Sequence, residues 1–188
     1  MKEQDQLYLG CFLNRIATEY KCNPMKTDPL EVLKEFFEFS EPKEQLKAFD
    51  EFCVAALTNH YNWERGSPGN GLFYGERLEL LVEAAYLISV KTGKYQKQIV
   101  KPTKDTLSVK HFPMPLTAKE YTKPLVFLES FFQYAPISAW KRWLNDFTSS
   151  AISNGSVSDE MDGVEIFWFV HYMKKLIYAT SRFTEIKL

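Results

Sequence analysis

The fold is decided near the C-terminus, where residues 163–178 read GVEIFWFVHYMKKLIY. Apolar residues recur there at the three- and four-residue spacing of an α-helix, and they form two stripes rather than one. The first stripe consists of Ile166, Phe169, Val170, Met173 and Ile177, and the second of Val164, Phe167, His171 and Tyr178. A helix that is apolar on most sides is typical of the middle of a bundle. We therefore expect this helix to be central and His171 to be a hydrogen-bonded core residue.

Helical spacing also recurs through most of the chain outside that stretch. Two start signals are clear: Asp28 followed by Pro29, and Thr117 followed three residues later by Glu120, the pattern of a capping box. The predicted helices cover residues 3–20, 29–37, 40–62, 72–92, 117–135, 136–147 and 158–178. The fourth begins near Leu72 or Glu76, and the fifth either kinks at Pro124 or begins later, around Thr122. No repeat period or heptad run is present. The sequence predicts an all-α fold, an irregular bundle of about seven helices that occupies residues 1–188 as one domain.

One segment, residues 93–116, lacks a helical period. Within it, residues 97–101 and 106–112 have the composition of extended chain, and Pro102-Thr103-Lys104-Asp105 between them has the composition of a turn. A structureless loop of this length is unusual in a compact domain. A small β-hairpin near residues 97–112 is therefore the expected exception to the helical fold.

Composition places the chain among ordinary globular proteins, with 45% hydrophobic and 25% charged residues. The apolar run from Ile166 to Val170 is far shorter than the roughly 20 residues that a membrane span requires. The N-terminal sequence lacks the basic and apolar regions of a signal peptide. The three cysteines are an odd number without a Cys-x-x-Cys pair, which fits free thiols in a reducing compartment. We therefore expect a cytoplasmic protein that does not contact a membrane.

The sequence also lacks the motifs that mark several enzyme classes. It contains no phosphate-binding P-loop, no dinucleotide-binding glycine pattern, no His-Glu-x-x-His pair, no EF-hand loop and no nucleophile elbow. Three histidines and unpaired cysteines make a dedicated zinc or iron site improbable. We therefore assign no catalytic, cofactor-binding or metal-binding residue. An enzyme with a site built from scattered residues stays open.

The first candidate site is the glycine-rich junction at residues 64–77, where a Gly-Ser-Pro-Gly-Asn-Gly turn separates two predicted helices. Exposed backbone N–H groups before a helix N-terminus can bind an anion. Arginines could supply charge there, and a His–Glu pair could transfer a proton. The candidate residues are His60, Trp63, Glu64, Arg65, Asn70 and Arg77. The alternative is a plain turn that uses glycine for positive φ.

The second candidate is a basic surface within residues 91–124, which carry eight lysines and two acidic residues for a net charge of +6. Its members are Lys91, Lys94, Lys97, Lys101, Lys104 and Lys110. Lysines with interleaved aromatics suit phosphate contact and base stacking. However, the segment has no arginine, and a pI of about 6.3 is low for a nucleic-acid-binding domain. The alternatives are a solvated lysine-rich segment or an acidic protein partner.

The third candidate is the carboxylate row Glu76, Glu79 and Glu83, which shares one helix face. This face lies opposite the inner stripe of its helix, so we expect the row to be solvated. The same outer side carries Leu80 and Leu87, which indicates that another helix or a partner covers it.

Weighed together, these patterns favour a non-catalytic helical interaction or regulatory module, bound to a protein partner or to a second copy of itself. Two alternatives are a protein or enzyme that binds a small anionic ligand at the junction, and non-specific nucleic-acid binding through the lysines. The absence of a recognisable catalytic constellation and the uneven charge distribution support the interaction or regulatory module.

Overall fold

The structure is a computed structural model that describes residues 13–63, 66–99 and 115–184. These ranges contain nine α-helices and no β-strand. In chain order the helices are α1 Asn14–Glu19, α2 Pro29–Glu38, α3 Pro42–Leu57, α4 Pro68–Val90, α5 Thr92–Tyr95, α6 Ala118–Thr122, α7 Pro124–Tyr134, α8 Ile137–Ile152 and α9 Gly163–Ser181. Three 3-10 turns lie at Pro24–Lys26, Gln96–Gln98 and Val157–Asp159. The all-α prediction is confirmed.

The helix count exceeds the predicted seven because short turns are separate elements. The helix expected over 117–135 is divided: α6 ends at Thr122, Lys123 leaves the helical conformation, and Pro124 begins α7. Proline removes the backbone donor that a continuous helix would need. Where the sequence predicted a hairpin over 97–112, residues 96–98 form a 3-10 turn, and residues 100–114 lie outside the described ranges.

Local capping fixes several helix starts. The Asp28 carboxylate accepts a hydrogen bond from the Leu30 N–H at 3.2 Å, with Pro29 in the first turn. Thr117 Oγ1 accepts from the Glu120 N–H, and the Glu120 carboxylate accepts from the Thr117 N–H, so the predicted capping box is confirmed. The last helix, expected to begin at Ser158, instead begins at Gly163 because Asp162 caps it. These contacts satisfy N–H groups that have no partner within the helix.

The helix at the centre of the bundle is α4. It packs most extensively against α8, and also against α1, α2, α7 and α9. Its buried side chains point in all directions around the axis, among them Leu78, Leu80, Leu81, Val82 and Leu87. The prediction that a second element covers Leu80 and Leu87 is confirmed, whereas the prediction that α9 is the central helix is wrong.

Aromatic side chains fill the space between α7, α8 and α9. The Trp140 ring stacks on Phe131 with 4.0 Å between centroids, and its indole N–H donates to the backbone oxygens of Phe131 and Ala135. Phe147 and Phe169 join α8 to α9 with 4.3 Å between their centroids. Burial of such large rings contributes strongly to stability, so this cluster fixes how α9 lies on the bundle.

Glycine allows the close approach of α4 to α8. A Cβ atom placed on Gly75 would lie 2.3 Å from Thr148 Oγ1, and one on Gly71 would lie 3.0 Å from the Trp63 ring. The predicted break between the two helices is present but ends earlier than expected, since Pro68 begins α4 and Gly69 to Gly71 continue it. The first turn accepts proline, and the two buried glycines are needed where other elements touch the helix.

We predict that Gly75→Ala lowers the free energy of unfolding by about 1–3 kcal/mol, because the new methyl group overpacks the contact with Thr148. Urea denaturation measures the change. The double variant Gly75→Ala with Thr148→Ala should recover part of the loss, since it removes Oγ1 and Cγ2 but keeps the Cβ atom at 3.1 Å. Gly163→Ala is the matched control, because no atom lies within 4 Å of a Cβ placed there. Equal effects at the two glycines would contradict the packing role of Gly75.

Candidate functional site

The carboxylate row of α4 is the most densely connected polar region that the structure describes. Glu83 is fully buried, and its two carboxylate oxygens accept hydrogen bonds from the backbone N–H groups of Arg15 at 3.0 Å and Ile16 at 2.8 Å. Leu13, which precedes α1, gives no side-chain cap. Glu83 therefore caps the N-terminus of α1 from another helix, satisfying two donors that α1 itself leaves unpaired.

Two cations complete the row. Lys141 Nζ contacts the Glu83 carboxylate and lies 2.8 Å from Glu79 Oε1. Arg15 donates from Nε to Glu79 at 2.8 Å and from Nη1 to Glu76 at 2.9 Å. The expectation that the row is solvated is wrong, because α1 and α8 lie over that side of α4 and bring their cations to it. Sequence spacing within α4 could not reveal partners that lie 58 to 68 positions away.

The environment shifts the acidity of the inner carboxylates in opposite directions. Burial raises the pKa of Glu83, and the charge of Lys141 with the two backbone N–H groups offsets only part of this effect. Burial also acts to raise the pKa of Glu79, but hydrogen bonds from Lys141 and Arg15 outweigh it, so the pKa is lowered. Every carboxylate of the row thus has a partner within the fold, and the arrangement is that of a structural network.

The glycine-rich junction is split between two cavities. Trp63 and Asn70 line a cavity of about 230 Å³ beside α4, so the prediction that Trp63 lines a groove is confirmed. His60 is exposed at positive φ, and its backbone N–H donates to Asn154 O at 3.1 Å. The predicted helix to residue 62 ends at Leu57, because Thr58 turns to extended backbone. Glu64 and Arg65 lie outside the described residues.

Arg77 faces a second cavity of about 310 Å³, which we call the Arg77 cavity. Its lining residues are Phe36, Phe39, Gln45, Phe73, Tyr74 and Arg77. The guanidinium carbon lies 5.8 Å from the centroid of the Phe36 ring, and Nη2 is buried without a hydrogen-bond partner. Phe73 and Tyr74 line both cavities, so these side chains separate Arg77 from Trp63 and Asn70.

Half of the predicted basic surface lies within the described ranges. Lys91 Nζ donates to Met25 O at 3.0 Å, and Lys94 Nζ lies 4.9 Å from the centroid of the Tyr95 ring. Lys97 is exposed. Lys101, Lys104 and Lys110 lie outside the described residues. A common surface for the six lysines stays a prediction.

An exposed aromatic surface lies on α9 and the end of α7. It consists of Tyr134, Val164, Phe167, Trp168, His171 and Tyr172, and we call it the α9 aromatic surface. Val164 is 66% exposed and Phe167 60% exposed. The expectation that both stripes of α9 are buried is therefore wrong. In the first half of α9 only one side reaches the core, through Phe169 and Met173. The second half is buried from Leu176 to Ser181 and includes Tyr178 of the second stripe.

Ring contacts link the members of this surface. Tyr134 and Tyr172 stack with 4.7 Å between centroids, and Trp168 lies 5.2 Å from Phe167 and 5.7 Å from His171. Burial and the charge of Lys175 lower the pKa of His171, which disfavours the charged imidazolium. The prediction of a core histidine is wrong, since His171 is only partly buried in this surface cluster.

A search for metal sites and membrane-spanning helices, and a comparison with known proteins, bear on function. Across residues 13–63, 66–99 and 115–184, no group of three or more His, Cys, Asp or Glu side chains is arranged to hold a metal ion. None of the helices in these ranges has the length and apolar character that crossing a membrane requires. Comparison with protein-family models, curated proteins and solved structures gives no match.

We predict that Glu83→Gln lowers the free energy of unfolding by about 3 kcal/mol or more, because it leaves the Lys141 charge buried with reduced compensation. Chemical denaturation at neutral pH measures this change. Glu76→Gln is the matched control, since Glu76 is more exposed and its ion pair within the described ranges is with Arg15. Its effect should stay below about 1 kcal/mol. Similar losses for the two variants would contradict the capping role of Glu83.

Proposed function

We propose that this protein is a non-catalytic interaction module that binds a partner protein through the α9 aromatic surface. The observation that carries this proposal is the exposure of Phe167 and Val164 beside Trp168 and Tyr134, all on one side of the molecule. A contiguous apolar patch of large side chains in contact with water marks an interaction site more often than chance exposure does. Trp and Tyr are also the residues most enriched where interfaces gain binding energy.

The rings are held in place before any partner arrives. Tyr172 stacks on Tyr134 and also contacts Trp140, whose indole is buried in the core. Trp168 contacts Tyr134 and Tyr172 from the next turn of α9. Binding to an ordered surface loses less side-chain entropy than binding to a mobile one. The packing therefore supports a preformed docking surface.

Charged residues precede and follow the aromatic surface along α9, which supports an interface with a polar rim. Lys174 pairs with Asp50 at 2.5 Å, and Lys175 pairs with Glu120 at 2.6 Å. Asp162 caps α9 at the other end of the patch. An apolar centre with a polar rim is the usual arrangement of protein–protein interfaces. A second copy of the chain and a different protein are both compatible with it.

The other two candidate functions have less support. The nucleic-acid alternative loses Lys91 to a contact within the fold, and Lys94 lies over the Tyr95 ring. The junction alternative has its candidate residues on separate cavities, with Trp63 in one and Arg77 in the other. The carboxylate network does not favour an enzyme, because the carboxylates of the row are paired within the chain.

We predict that a photoreactive benzoylphenylalanine at position 167 forms discrete cross-linked adducts with a partner protein when the full chain is irradiated in its source cells. The physical reason is that Phe167 lies in the centre of the docking surface, within contact distance of a bound chain. Gel electrophoresis and mass spectrometry identify the adducts, including a species of twice the chain mass where the partner is a second copy.

The matched control carries the same photoreactive residue at Val54, which is also exposed but lies on α3. A second arm keeps the probe at position 167 and adds Trp168→Ser, which should reduce the adducts by about tenfold by removing a central aromatic anchor. Identical adducts at positions 167 and 54, or none at position 167, would contradict the proposed function.

A further inference from the structure

We propose that the Arg77 cavity binds a small monocarboxylic acid, with its carboxylate on Arg77 and its apolar body between Phe39 and Phe73. This proposal is independent of the α9 aromatic surface, because the two sites share no residue. It departs from the anion site expected at the glycine-rich turn. Neither Trp63 nor Asn70 takes part, and side chains of α2 and α3 take their place.

Arg77 carries a hydrogen-bond donor that is unsatisfied. Nη2 of Arg77 is buried and has no hydrogen-bond partner. Arg77 also forms no ion pair with any residue of the described ranges. Glu35 on α2 accepts a hydrogen bond from the Tyr20 hydroxyl at 2.6 Å and forms no ion pair with Arg77 in the described ranges. A buried charged donor without an acceptor destabilises a protein. Because Nη2 is buried, a ligand reaches it when the guanidinium turns toward the cavity, and the acceptor that the ligand then supplies removes this cost.

Two other polar side chains, Gln45 and Tyr74, line the Arg77 cavity. Gln45 Nε2 donates to Phe36 O at 2.9 Å, and the Tyr74 hydroxyl donates to Gln45 O at 2.8 Å. The Tyr74 hydroxyl and one N–H of the Gln45 amide are thus used inside the fold. Arg77 is the charged group that lines the cavity, and its planar guanidinium matches the geometry of a carboxylate.

The rim of the Arg77 cavity is apolar. Phe39 is 82% exposed and Phe73 is 63% exposed, and both line the cavity with the buried Phe36 ring. A ligand body that covers these two rings removes a large apolar area from water, which is favourable. A volume of about 310 Å³ is at the lower end of the range for small-molecule sites, so the ligand is small.

The charge of the cavity distinguishes a carboxylate from a phosphate. Arg77 is the only cation among the six lining residues. A monoanion balances this charge, whereas a dianionic phosphate would bring an uncompensated negative charge into a largely apolar environment. The apolar rim also offers no hydrogen-bond donors for the additional phosphate oxygens. The cavity thus favours an apolar monocarboxylate.

The test uses 3-phenylpropionate as the probe, titrated into the full chain by isothermal calorimetry. We expect saturable binding with a dissociation constant of about 1 mM or tighter, and shifts of the Phe39 and Phe73 ring signals in NMR spectra. The neutral amide of the same acid should bind at least about tenfold more weakly, because it lacks the charge that pairs with Arg77. Inorganic phosphate should give no saturable binding at this site.

Two variants place the binding on the named residues. Arg77→Gln should weaken 3-phenylpropionate binding by about tenfold or more, whereas Lys34→Gln, which removes a nearby exposed cation of α2, should not change it. Phe73→Ala alters an exposed side chain and should weaken binding without unfolding the protein, even where Arg77→Gln fails to fold. Absence of binding at about 10 mM, equal affinity for the acid and its amide, or unchanged affinity in Phe73→Ala would overturn the proposal.

Discussion

The rest of the structure depends on one buried carboxylate. Glu83 lies in the middle of the central helix, α4, and joins it to two other parts of the chain. Its carboxylate accepts hydrogen bonds from N–H groups in the first turn of α1, and it pairs with Lys141 of α8. A buried charge is stable only where hydrogen bonds and an opposite charge compensate its loss of hydration. This requirement holds α1 and α8 over the same side of α4 and makes the outer face of that helix an interior one.

This use of charge has a consequence for function. A row of three carboxylates on one helix face could have bound a cation or carried acid–base chemistry, but Arg15 and Lys141 neutralise it inside the fold. Several aromatic side chains stay exposed in the described ranges, among them Phe167 and Trp168 on α9, and Phe39 and Phe73 around Arg77. Binding through apolar surfaces, one suited to a protein and one to a small acid, is consistent with this division between paired charges and exposed rings.

The sequence predicts those features whose causes lie within a few residues. Asp28 and Thr117 cap their helices as expected because a cap and its N–H partner are neighbours in the chain. The orientation of α9 could not be predicted this way, since both of its stripes are apolar and the contacts that bury it, such as Phe169 against Phe147, join distant segments. The burial of Glu83 could not be predicted either, because its partners belong to distant segments. The role of Gly75 likewise depends on Thr148 of another helix, which lies against it.

The most direct measurement of the central claim, that Glu83 caps α1 from α4, is amide hydrogen exchange of Arg15 and Ile16 by NMR. N–H groups in the first turn of a helix normally have no intrahelical partner and exchange quickly. We expect the amides of Arg15 and Ile16 to exchange as slowly as core amides of α4. We also expect Glu83→Gln to accelerate the exchange of these two amides more than that of the amides of α7. Fast exchange of Arg15 and Ile16 in the unaltered protein would contradict this claim.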